Sequence, residues 1–205
     1  MKQGEYMPTV YELRTGDMIA FKKGKNFIAA VIHLFTNSDV NHVGIIVKLY
    51  NGIGHDFPFM IEANPDDVEY SFLPRKIKAE KDEIYVYRLT DENYKKLNDN
   101  LNSFYQFMNE QIGKAYDYPQ AIETVIDKVF DKTISKDSYS KFFCSKLVGA
   151  IYLQAGIITP EMLVKSGFKC VSELTPADCC SLPIFKDNIK ITNSEPEAKN
   201  VTSKN

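Results

Sequence analysis

An α+β fold, with a small antiparallel β-barrel or sheet core packed against helices, is what this sequence predicts. Short β-branched or alternating runs recur through the first half of the chain and again near its end. Longer stretches carry apolar residues three and four apart, the spacing of a helix face. With 205 residues, 44% of them hydrophobic, the chain can bury one sizeable core. A single domain over 11–191 is expected, after an N-terminal segment over 1–10 and before a disordered C-terminal tail over 192–205.

Strands are expected near 17–21, 42–49, 59–63, 83–89 and 184–191. Asn41-His42-Val43-Gly44-Ile45-Ile46-Val47 is apolar and β-branched, with one imidazole near its start. Phe59-Met60-Ile61-Glu62-Ala63-Asn64 follows after a turn-rich connection containing Gly52 and Gly54. Ile84 to Leu89 alternates as a half-buried strand does. Tyr94, Leu97, Leu101, Phe104, Tyr105, Met108 and Ile112 recur at helical spacing, with Thr90 or Asp91 as a cap and Gly113 as a stop. Pro119 can begin another helix, whose apolar face is Ile122, Val125, Ile126, Val129 and Phe130. A polar linker over 132–141 then leads to Phe143-Cys144-Ser145-Lys146-Leu147-Val148. There Cys144, Leu147, Val148, Ile151 and Ala155 share one helical face, and Gly156 ends it. The tail from Asn193 is polar and has little to bury.

A cysteine at a helix start receives unsatisfied N–H groups and the positive end of the helix dipole, which favours the thiolate. The alternative is a small buried core thiol. Three histidines could serve Cys144 as a base. His42, at a strand end, is held by the ladder yet stays near the surface. His33 sits in an apolar stretch that suits packing, and His55 lies in a turn region. If the two strand runs pair as an antiparallel hairpin, Glu62 comes within a few residues of His42 across the ladder. A half-buried carboxylate needs a partner, and His42 is the nearest. Glu62 would then accept the imidazole N–H and stabilise the imidazolium. The alternatives are an outward-facing Glu62, or an orienting role for Asp66 or Asp67, which sit with Glu69 in a polar stretch where charges are solvated.

Four short segments carry a family resemblance. Leu13 to Phe21 with its Thr15-Gly16-Asp17 turn, His42-Val43-Gly44-Ile45, Gly113-Lys114-Ala115-Tyr116-Asp117, and Cys144 to Val148 with Gly156 resemble the NlpC/P60 group of papain-like cysteine hydrolases. Their order is that of the circularly permuted branch, which includes YiiX/YaeF-like amidases, poxvirus G6-like proteins and, more distantly, lecithin:retinol acyltransferase-like enzymes. The resemblance spans roughly residues 11 to 175. It implies a permuted papain-like fold with Cys144 as nucleophile, His42 as base and Glu62 as the orienting residue. It also implies that Tyr116 helps to bind an oxyanion or substrate; a packed aromatic beside Tyr118 is the alternative. Asp17 reads as structural. The chain departs from the group in having no tryptophan near these motifs.

The implied activity is a cysteine hydrolase that cleaves an amide, peptide or acyl-amide, through a thioester on Cys144. A lipid acyltransferase or thioesterase of the same fold, or an inactive binding module, is the alternative. The expected substrate is a small molecule, a peptide or a lipid acyl group. The formal charge of −2 gives no electrostatic reason for nucleic-acid binding. No cofactor is implied. Cys170, Cys179 and Cys180 form no Cys-x-x-Cys pair, and no histidine follows Cys144, so no metal site is expected; the three read as reduced, mostly buried thiols. No apolar run reaches the length of a spanning helix, and residues 1–5 lack a signal-peptide core, so a cytoplasmic location is expected, with peripheral membrane contact still open.

Overall fold

The alternating runs become the strands of one sheet. Met18–Lys22 (β1), Val40–Tyr50 (β2), Asp56–Ala63 (β3), Val68–Phe72 (β4), Glu83–Leu89 (β5) and Phe185–Ile191 (β6) join in the order β4-β3-β2-β1-β5-β6. Every neighbouring pair is antiparallel. The structure is a computed structural model that describes residues 12–22, 39–50, 56–79, 83–117, 140 and 142–191. The expectations placed on 1–10, His33, His55, Gly52, Gly54, the helix from Pro119, most of the 132–141 linker and the tail lie outside those residues.

Strand alternation sorts the sheet's two faces. Met18, Ala20, Val43, Ile45, Val47, Ile61 and Ala63 point into the larger core, against Cys144–Gln154 (α4). Ile19, Phe21, Ile46, Met60, Ile84 and Val86 point the other way, against Leu73–Ala79 (α1). His42 and Glu62 have the parity of this second face.

Two stretches outside the expected strands and helices are ordered. β4 pairs along β3 with Glu69 opposite Glu62, and α1 follows it directly, burying Leu73 and Ile77 one turn apart. Pro74 at the second position suits a helix start, since its missing N–H would have no partner there. The expected single helix from 91 to 112 is two, Asp91–Asp99 (α2) and Leu101–Gln111 (α3). Asn100 breaks it: its side-chain Nδ2 donates to the Lys96 carbonyl at 2.9 Å, so the side chain competes with the helix for that acceptor. Thr90 caps α2 by accepting from the Asn93 N–H, and Ile112 falls beyond α3, 40% exposed. Short helices Pro160–Lys165 (α5) and Pro176–Ser181 (α6) complete the larger layer, each opened by a threonine cap and a proline.

Candidate active site

α4 was expected to bury one face, yet every residue from Cys144 to Tyr152 is buried, because β2, β3, α3, α6 and a 3₁₀ turn at Val171–Glu173 surround it. Close approach of that turn needs Gly149, where a Cβ would stand 2.9 Å from Val171 Cβ. The buried polar residues of the first turn have partners. Ser145 Oγ donates to the Leu174 carbonyl at 2.6 Å, and Lys146 Nζ lies 3.7 Å from Asp117 Oδ2. Phe143, the N-cap, supplies no side-chain acceptor. The first-turn N–H groups, which no helix can satisfy internally, therefore lie beside Cys144 with no cap from the Phe143 side chain.

β2 pairs with β3 through Ile45 and Ile61, which sets Gly44 opposite Glu62 and His42 two residues further on. Diagonal neighbours on one face are within reach of long side chains. His42 Nε2 and Glu62 Oε2 are 2.5 Å apart. Gly44 allows this closeness: a Cβ there would stand 2.7 Å from the Ile61 carbonyl oxygen and 2.8 Å from Met60 side-chain atoms. The β1–β2 register shifts beside His42, between Phe21 and Lys22, the kind of irregularity that re-aims a side chain. The Phe21 ring packs on the imidazole at 5.8 Å between centroids.

Cys144 is the other side chain that acts on the His42 ring. With Nε2 occupied by Glu62, the second ring nitrogen is Nδ1. Burial works against the charged ring, but hydrogen bonds and charge from Cys144 and Glu62 raise His42 from 6.5 to about 9. Burial alone would push Glu62 up. The hydrogen bond and charge of His42, then the charge and hydrogen bonds of Lys76, hold it at about 2. Lys76 Nζ lies 2.6 Å from Oε1 and 2.5 Å from Oε2 of Glu62, whose side chain has no exposed surface. The sequence reading missed Lys76 because no helix was expected at α1. The signal it offered was Leu73 and Ile77 one turn apart, with Pro74 between them.

Tyr116 lies half-buried on a strap that joins two parts of the site. Val68 N–H donates to the Lys114 carbonyl, Gly113 N–H to the Val68 carbonyl, and Asp117 N–H to the Phe142 carbonyl. The strap thus runs from the start of β4 to the residue two before Cys144. Asp17 stands apart, at the opposite end of β1 from Phe21 and His42. It is fully buried, accepts the Arg14 and Leu89 N–H groups, and has Arg14 Nη2 at 3.6 Å and Arg88 Nε at 3.9 Å, which ties the β1 turn to the end of β5.

The other three thiols are not in disulfides; Cys179 is buried, and Cys170 and Cys180 are half-buried. Cys179 Sγ donates to the Ser145 carbonyl at 3.7 Å, and burial pushes Cys180 up to about 11. Among the described residues, no group of three or more His, Cys, Asp and Glu side chains is arranged to hold a metal. Nor is any described helix long and apolar enough to cross a membrane.

The family described as permuted papain-like amidase enzymes, YaeF/YiiX, C92, has a profile that matches residues 12–170. No curated protein matches by sequence. Among solved structures the chain is similar in fold to one described as the metalloprotein yiiX from Escherichia coli O157:H7, with a TM-score of 0.56 and 21% identity over 89% of this chain and 98% of that one. The six-stranded antiparallel sheet with its flanking helices is the α+β arrangement that the permuted segment order implied.

Proposed function

The chain belongs to the permuted papain-like amidase family, and from that premise we propose that it cleaves an amide bond through a thioester on Cys144. The observation that carries this reading is the 2.5 Å contact of His42 with Glu62, on an imidazole whose charge Cys144 also favours. His42, held well above neutrality, is the imidazolium partner of the attacking Cys144 sulfur. The thiolate attacks the carbonyl carbon, and N–H groups at the start of α4, with the Tyr116 hydroxyl, receive the oxyanion. The C–N bond breaks as His42 gives its proton to the leaving amine, which leaves the acyl group on sulfur. His42, now neutral, takes a proton from water, and the hydroxide releases the acid and restores the thiol pair. Glu62 stays ionised throughout and fixes the ring's orientation.

The test is labelling with acyl and peptidyl electrophiles of graded structure, followed by mass spectrometry of the adduct. Modification of Cys144 is expected, with the best probe naming the substrate class. On any substrate so found, Cys144→Ala and His42→Ala should each lower turnover by about a thousandfold or more. Turnover that survives Cys144→Ala would sink the thioester mechanism.

A further inference from the structure

The line of contacts does not stop at Glu62. Lys76 reaches across from α1 and touches both carboxylate oxygens, so Glu62 is shared between two cations, His42 on one side and Lys76 on the other. We propose that Lys76 is a positioning residue of this centre: its ammonium clamps the Glu62 carboxylate and takes part of its charge, which leaves His42 able to release the proton it holds. This rests on the reading of His42 as the base of Cys144.

Every element packed around the carboxylate bears on this. From β2 comes His42, from α1 Lys76, and from β4 Glu69, directly opposite Glu62 in the ladder. Like charges placed so repel. Glu69 is exposed and accepts from Asn64 Nδ2 at 2.5 Å and Ser71 Oγ at 3.0 Å, so solvent and neutral donors meet its charge, and His42 and Lys76 are the cations on the buried Glu62. β1 contributes Phe21, whose ring centre is 5.8 Å from both the imidazole and Lys76 Nζ. α4 contributes Cys144, which acts on the same imidazole.

The chemistry explains the need. A buried carboxylate with imidazolium as its only partner would hold that proton strongly. His42 would then be a poor acid toward the leaving amine and a poor base toward water. A second cation on the same carboxylate weakens that hold without removing the carboxylate. A lysine can do this only if α1 fixes its stem, and α1 is anchored by Leu73 and Ile77 in the smaller core.

The experiment is an NMR titration of the His42 imidazole, assigned with His42→Ala, in the intact chain and its Lys76 variants. Lys76→Met, which keeps the stem and deletes the charge, should raise the His42 midpoint by about one pH unit. Lys76→Arg should leave it within a few tenths of the wild-type value. Should Lys76→Met fail to fold, Lys76→Gln keeps a hydrogen-bond donor for Glu62 and should show the same upward shift. A midpoint unmoved or lowered in either neutral variant, or an equal shift in Lys76→Arg, overturns the proposal. A merely structural lysine would change melting temperature and leave the midpoint where it was. The underlying reading is scored separately, by iodoacetamide alkylation of Cys144 at pH 6: a rate unchanged in His42→Ala would overturn His42 as the partner of Cys144, whatever the Lys76 titration shows.

Discussion

Glu62→Gln probes the electrostatic centre of the site through folding stability, with no substrate needed. Glu62 is held at about 2 against an ordinary 4.5. A carboxylate depressed in the folded state contributes stability that is fully present above its unfolded value and is lost as the pH falls through the folded one. For Glu62 that contribution is about 3 kcal/mol, whole above pH 4.5 and gone near pH 2. His42 supplies the opposite limb: raised from 6.5 to about 9, it contributes stability fully present below pH 6.5 and lost as the pH rises through 9. The limbs share one contact, so their energies do not add. Glutamine keeps the shape and an acceptor for His42 but deletes the charge and leaves Lys76 facing an amide. The expected result is a loss of about 3 kcal/mol at pH 6 and a flattened acid limb between pH 4.5 and 2, read by urea denaturation at a series of pH values. An acid limb as steep in the variant as in the wild type would refute the reasoning, since the protons taken up would then belong to other carboxyls.

Three further outcomes are expected. Iodoacetamide near pH 7 should alkylate Cys144 faster than Cys180, whose thiol burial pushes up to about 11, despite the small exposure of Cys144; peptide mapping checks the order. Gly44→Ala should cost about 1–3 kcal/mol and reduce turnover, because the Ile61 carbonyl oxygen 2.7 Å from the new Cβ is backbone and can yield only by parting β2 from β3 beside Glu62; thermal unfolding measures the cost. Tyr152→Phe should cost about 1–2 kcal/mol in denaturant titration with little effect on labelling of Cys144, since it only strips the Gly16 carbonyl of a buried donor at 2.8 Å.

Much of the fold could be read from residues alone because its signals are local. Alternation marked β1, β2, β3, β5 and β6 to within a few residues, and the break from a polar linker to an apolar helix marked the start of α4. The pairing of Glu62 with His42 was legible for the same reason: two consecutive strands joined by a turn have few registers that keep their apolar faces buried. Where local preference was weak or ambiguous, reading failed. β4 and α1 hid in a polar stretch, and the stripe from Tyr94 to Ile112 gave no warning that Asn100 would divide it.

What this sequence determined by itself is the identity of five of the six described strands, the place of Cys144 at a helix start and the candidacy of His42 and Glu62, because period and capping are properties of neighbours along the chain. Tertiary structure alone decided that β5 pairs with β1 and that β6 pairs with β5, that the Tyr116 strap binds to Phe142, and that Lys76 closes on Glu62. Each of those contacts depends on how separate elements pack, and packing is settled by complementary apolar surfaces that no short stretch of residues contains.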